Sequence, residues 1–261
     1  MEPDDHLRDL LTRFKGGNLT LDEVERAIQA HTPGQVGSIA VLDLNRADRC
    51  GIPEVILAEG KEPEHLIAIA QKYAQAAGRC VITRLAPETV PVLQKTADQL
   101  GLSSSYYPAG RVMVLGSGPE PAQTGGVVGV ITAGTSDIRV AEEAMVIAQE
   151  MGCQVRTAYD VGVAGIHRLF PVLAAMDDCH AFVVAAGREG TLPAVVSGLV
   201  NRPVIGVPVS TGYGYMGHGE AALASMLQSC SVLTVVNIDA GFVAGAFAAR
   251  IAVMVATRSI E

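Results

Sequence analysis

The sequence predicts a two-domain α/β protein: a doubly wound parallel sheet in the carboxyl-terminal half, preceded by a smaller amino-terminal α/β domain. From Val127 onward, five short apolar runs (127–132, 154–159, 181–186, 204–209 and 232–236) begin about 22 to 28 residues apart. The stretches between them have helical character, and continuous apolar strands alternating with helices indicate a parallel sheet covered on both faces. The charge is unevenly spread: residues 1–75 hold 21 charged side chains and residues 181–261 only eight, as buried strands require. Between the halves, residues 116–126 have the Gly- and Pro-rich composition of a linker. This assigns residues 1–120 to a helical and small α/β domain and 127–261 to the doubly wound domain.

In chain order, a first helix is expected from Leu7 to Phe14, ending near Gly16 and Gly17. A second starts at Thr20, where Thr20 and Glu23 have capping-box spacing and Leu21, Val24 and Ile28 share an apolar face. Strands are expected at 39–44, 55–58, 80–85 and 111–115, and helices at 64–77 and 88–100. Beyond the linker, helices are expected at 138–151, 165–176, 192–200, 221–227 and 242–255, between the five strands. In such folds ligands bind outside the carboxyl ends of the strands, near the point where the strand order reverses.

Composition excludes several functions. A formal net charge of −8 disfavours nucleic acid, whose affinity rests on cationic contacts to phosphate. All four lysines (Lys15, Lys61, Lys72, Lys95) precede residue 96, so the second half lacks the amine for a Schiff base or a P-loop. The acidic start Met1 to His6 does not resemble a secretory signal, and the apolar stretch 241–256 is interrupted by Arg250 and too short to span a bilayer. The five cysteines are widely spaced with no C-x-x-C, which reads as reduced thiols rather than disulfides or zinc ligands, in a cytoplasmic protein.

The loops after the five strands are where the sequence turns polar. Gly134, Thr135, Ser136 and Asp137 sit between a strand and a helix; glycine and hydroxyls there suit an anion site, and Ser136 or Asp137 also suits a helix cap. The pattern is not the G-x-G-x-x-G of dinucleotide binding. Asp160, His167 and Arg168 share the next loop, where a carboxylate and an imidazole can orient one another for proton transfer or simply hold the loop. Gly187, Arg188 and Glu189 follow the third strand, and a charged pair there implies a ligand or a subunit contact. The loop 210–219 mixes Ser210, Thr211, two tyrosines and His218 with four glycines including Gly212, suiting phosphate or ribose, or a mobile lid. Asn237 and Asp239 follow the fifth strand, and Cys230 opens it between two serines. No metal-ligand spacing stands out, though these carboxylates leave room for a Mg²⁺ bridged by phosphate.

Taken together the loops resemble a known family. Residues 134–137 look like the Gly-Ser-x-Ser-Asp signature of phosphoribosylaminoimidazole carboxylases, which have this doubly wound fold. The runs 160–169, 189–199, 226–230 and 235–239, together with 43–46 and 51–55, are similar to the LarB family, the pyridinium-3,5-biscarboxylate mononucleotide synthases of nickel-pincer cofactor biosynthesis. Ala240 and Val243 depart from that family's usual Asn and Gly. The resemblance spans nearly the whole chain. It implies carboxylation of the pyridinium ring of nicotinate adenine dinucleotide by CO₂ or bicarbonate, with hydrolysis of the phosphoanhydride to release AMP. By the same resemblance Cys230 is the nucleophile, Glu189 the base, and Asp160 and His167 are further acid–base groups or ligands of a Mg²⁺. Gly134 to Asp137, Arg168, Gly187, Ser210 to Gly212, Asn237 and Asp239 would hold the substrate. The dinucleotide is then substrate, and no organic cofactor is implied.

Two other readings share these residues. An aminoimidazole ribonucleotide carboxylase or mutase of purine biosynthesis would use the 134–137 signature and need no thiol. A nucleotide-binding regulatory module would use the loops without chemistry. A tetramer or octamer is expected, since the fold family forms closed oligomers and the helices here are apolar and lightly charged.

Overall fold

The computed structural model describes residues 3–25, 34–44, 46–117 and 120–258. Helix α1 spans Pro3–Lys15. The next helix begins at the capping box: the Thr20 amide donates to Glu23 Oε2 at 2.7 Å and the Glu23 amide to Thr20 Oγ1 at 3.3 Å. It runs through residue 25, and Ile28 of its expected apolar face lies outside the described residues. A hairpin, β1 (Gly34–Val36) and β2 (Ala40–Leu42), stands where one strand over 39–44 was expected, because Gly37 at φ 51° reverses the chain.

After α2 (Arg46–Cys50) comes a four-stranded sheet in the order β3-β4-β6-β5. Its strands are β3 (Val55–Leu57), β4 (Arg79–Thr83), β5 (Ser103–Tyr107) and β6 (Val112–Gly116). Helices α3 (Pro63–Ala77) and α4 (Val90–Gln99) cover one face. No strand was expected at β5, between the helix expected over 88–100 and the strand expected at 111–115. β5 is an edge strand antiparallel to β6, and its successive residues Tyr106 and Tyr107 pack into apolar clusters on opposite faces of the sheet.

The second sheet has β7 (Val127–Thr132), β8 (Gln154–Ala158), β9 (Ala181–Ala186), β10 (Val204–Pro208) and β11 (Thr234–Val235). Its order is β11-β10-β9-β7-β8 and every pairing is parallel. The chain steps from β7 to β8 on one side, then crosses to β9 on the other, so the switch point lies between β7 and β9. The helices are α5 (Ile138–Glu150), α6 (Leu169–Ala175), α7 (Leu192–Leu199), α8 (Glu220–Leu227) and α9 (Gly241–Arg258). Two of the boundaries that differ from expectation bear on the site. The helix expected over 165–176 begins as a 3₁₀ stretch, Val163–Arg168, because Gly165 takes non-helical angles (φ −130°, ψ 53°). The last strand is two residues long, so Cys230 sits in the turn after α8 rather than at the strand's start.

Alternating strand residues divide the core. Val128, Val130, Val183 and Val207 face α5 and α9, whereas Ile131, Phe182, Val184 and Val204 face α6, α7 and α8. The outer side of α5 and α9 is also covered: Val146, Ile147 and Ala246 pack on Val81, Val112 and Val114 of the small sheet. The molecule is thus five layers, helix–sheet–helix–sheet–helix, so α5 and α9 carry apolar residues toward both sheets. Among the described residues, no helix is long and apolar enough to cross a membrane.

Candidate active site

The loops after β7, β8, β9 and β10 enclose a cavity of about 360 Å³ at the switch point. Two glycines let these loops meet. A Cβ on Gly162 would lie 2.6 Å from the Ala133 carbonyl oxygen, and one on Gly212 would lie 2.8 Å from the Arg188 nitrogen.

Asp137 belongs to the cavity lining but is only 3% exposed. Its Oδ2 accepts the Gly134 amide at 2.8 Å, and the Gly187 amide and the Thr211 hydroxyl also donate to the carboxylate. Burial pushes its pKa up, and these donors oppose the shift without cancelling it. Of the two roles open to residues 134–137, Asp137 takes the structural one and joins three loops. Gly134 and Ser136 line the cavity at the 3₁₀ turn, Thr135–Asp137, that leads into α5, so the positive end of the helix dipole lies beside it and favours an anion. Thr135 is exposed on the same turn.

Gly187, Arg188, Glu189, Thr211 and Gly212 also line the cavity. Glu189 is its exposed carboxylate, Asp137 being buried. Arg188 stands at φ 46°, and its guanidinium lies over the Tyr213 ring, 4.4 Å from the centroid, so a cation and an aromatic ring flank the cavity. Tyr213 is one of the two tyrosines of the 210–219 loop expected to meet a ligand, and its stacking on Arg188 is what the structure adds.

Other candidates are placed differently. Asp160 pairs with Arg168 Nη1 at 2.8 Å, so its carboxylate is oriented by the guanidinium and not by His167, which is exposed. Asp160, His167 and Arg168 lie outside the cavity lining. Asp239 accepts the Ser210 amide at 3.0 Å, the Ser210 hydroxyl at 2.5 Å and Arg139 Nη2 at 3.0 Å. Burial works to raise its pKa, but Ser210 and Arg139 outweigh it and hold the carboxyl below the ordinary value. Asp239 and Ser210 therefore brace the loop that carries Thr211 and Gly212. Asn237 accepts the Ile238 amide at 2.9 Å within its own loop.

Cys80, Cys153 and Cys179 are buried, and burial pushes their thiols up, Cys179 to about 12. Cys230 is exposed. It lies ahead of β11, at the amino edge of the sheet, where the Ser197 hydroxyl near the end of α7 bonds the Val232 carbonyl. The cavity opens at the carboxyl edge, so one chain does not bring Cys230 to its own cavity.

Among the described residues, no three His, Cys, Asp or Glu side chains form a metal cluster. Two carboxylates line the cavity, and Asp137 already accepts three donors, which leaves Glu189 as the exposed one. This donor set does not fit a protein-built Mg²⁺ cage.

Comparison with known proteins fits this architecture. Residues 34–117 match the LarB/PurE-like N-terminal domain, and residues 127–260 match AIR carboxylase. An uncharacterized protein of Methanocaldococcus jannaschii is 41% identical over 253 residues, covering 95% of this chain and 97% of that protein. A probable N5-carboxyaminoimidazole ribonucleotide mutase of Methanothermobacter thermautotrophicus is 32% identical over 128 residues, 47% of this chain and 36% of its own length. The N5-carboxyaminoimidazole ribonucleotide mutase of M. jannaschii is 33% identical over 117 residues, 43% of this chain and 69% of its own. The chain belongs to the AIR carboxylase family, as a carboxylase/mutase-type member that carries a LarB/PurE-like N-terminal domain.

Proposed function

We propose that the protein carboxylates the pyridinium ring of nicotinate adenine dinucleotide and hydrolyses its phosphoanhydride, giving pyridinium-3,5-biscarboxylate mononucleotide and AMP. The observation that carries this reading is the joint match of both domains, LarB/PurE-like before AIR carboxylase, where the two mutase relatives match less than half of the chain.

The site chemistry is compatible. A pyridinium ring is too electron-poor to attack CO₂. A thiolate adding at the carbon para to nitrogen makes a dihydropyridine whose neighbouring ring carbon is enamine-like. That carbon bonds to CO₂, a base takes its proton, and the C–S bond breaks to restore the aromatic ring and the thiolate. Glu189 is the exposed carboxylate in the cavity and is assigned as the base. The amides before α5 and the loop 210–219 hold phosphate. Cys230 is assigned as the thiolate; because it sits at the sheet's opposite edge, it acts in another copy's cavity within a closed homo-oligomer.

The experiment is mass spectrometry of the protein with the dinucleotide and bicarbonate, beside a parallel assay on carboxyaminoimidazole ribonucleotide. A dinucleotide-derived product heavier by CO₂, with AMP, is expected. Turnover of the aminoimidazole substrate alone overturns the reading in favour of a purine mutase, and binding without product leaves a regulatory module.

A further inference from the structure

Near the cavity, the two domains meet through polar contacts of Thr83 and Arg84. Thr83 ends β4, and Arg84 follows it at φ 52°, a conformation uncommon for a side chain of this kind. Arg84 Nη1 donates to Glu59 Oε2 at 2.9 Å and Nη2 to the Asp239 carbonyl oxygen at 2.8 Å. Thr83 donates to Glu143, a carboxylate of α5 that is 5% exposed and also accepts the Phe242 amide at the start of α9. Two consecutive residues of the amino-terminal domain therefore hold the β11–α9 corner, Arg84 directly at Asp239 and Thr83 through Glu143, which holds Phe242. Asp239, at that corner, itself stands at φ 56° and holds Ser210 by amide and hydroxyl. The next residue, Thr211, bonds Asp137 and lines the cavity.

We infer that Arg84 is a positioning residue for the active site: by fixing the Asp239 corner it fixes Ser210, and so the cavity wall formed by Thr211 and Gly212. The amino-terminal domain is then a working part of the site rather than an appendage. Calling that wall catalytic rests on the proposed function, but the coupling does not, and its test needs no substrate.

The Ser210 amide donates directly to Asp239, so its hydrogen exchange reports the state of the corner. Exchange over residues 209–219 is to be compared in the full-length wild type, Arg84→Asn, Arg84→Lys and Arg79→Ala. Asparagine tolerates a positive φ, so the first variant removes the guanidinium without adding backbone strain. Arg79→Ala breaks the Arg79–Glu150 ion pair, which joins the same two domains at the far end of α5. Arg84→Asn is expected to speed exchange at Ser210 about tenfold, as the loss of a charge-assisted hydrogen bond predicts. Arg84→Lys restores part of the protection, and Arg79→Ala leaves the segment at the wild-type rate. Unchanged exchange in Arg84→Asn, equal acceleration in Arg79→Ala, or a lysine variant no better protected than the asparagine one would each overturn the inference. A failed carboxylation assay would leave this result standing, so the two readings fail separately.

Discussion

Glu143 and Asp239 lie on either side of the start of α9, and their surroundings shift them in opposite directions. Burial raises Glu143 above its ordinary value, against the pull of Arg84, the Phe242 amide and Thr83. Its folded form therefore binds a proton more readily than its unfolded form, and this group makes the fold more stable as pH falls from the raised value to the ordinary one. Asp239 is lowered, so its contribution is present above the ordinary value and is lost as pH falls through the folded one. Glu143→Gln keeps the size and an acceptor for the Phe242 amide but removes the titration. In urea unfolding, wild type is expected to gain stability over this variant as pH is lowered through the Glu143 window. A difference that stays flat with pH, or reverses, would show that the buried carboxyl is not raised. Asp137 is raised by burial as well, and its carboxylate ties three loops through Gly134, Gly187 and Thr211.

The contact between α5 and α9 sets how the layers stack. Small residues allow it: a Cβ on Gly245 would lie 2.4 Å from the Ala144 carbonyl oxygen, and one on Gly241 would lie 2.3 Å from the Val140 carbonyl oxygen. The neighbouring atoms are backbone, so they cannot swing aside as a flexible side chain would. Gly245→Ala gains about 1 kcal/mol of helix propensity, yet the forced separation of two packed helices costs about 1–3 kcal/mol. A net loss of about 1 kcal/mol in urea unfolding is therefore expected. A variant as stable as wild type would mean that the helices part without cost. Because the small sheet packs on the other side of the same helices, the loss should appear in a single transition of both domains. The edge strand β5 makes a related point: it exists because β6 offers it a ladder and two tyrosines find opposite faces, not because three serines favour a strand.

At the scale of the whole molecule, the cavity and Cys230 occupy opposite edges of one parallel sheet. Leu199, Leu227 and Val232 near Cys230 are 47%, 66% and 94% exposed, an apolar surface suited to a subunit contact. If a neighbouring copy supplies the thiolate, inactive Cys230→Ala and inactive Glu189→Gln chains complement one another. Random mixed oligomers then regain about a quarter of wild-type carboxylation, since one site in four combines two intact contributions. Verified mixed oligomers with no activity would remove Cys230 from this role in trans. The parallel sheet, its five strands and the polar loops at its carboxyl ends were legible in the sequence, because apolar runs and their spacing are local properties of the chain. So were the capping box at Thr20 and the cavity residues Gly134, Ser136, Gly187, Glu189, Thr211 and Gly212. The choice between ligand-facing and structural roles was not. Asp160 turned to Arg168, Asp239 to Ser210 and Arg139, and Arg84 reached an oxygen 155 residues away in sequence. The sequence by itself determined the five strands of the parallel sheet and where a site must open, since burying apolar surface demands that periodicity. Only the tertiary structure decided which polar groups remain available at that site, because hydrogen-bond partners are assigned by chain crossings that leave no local pattern.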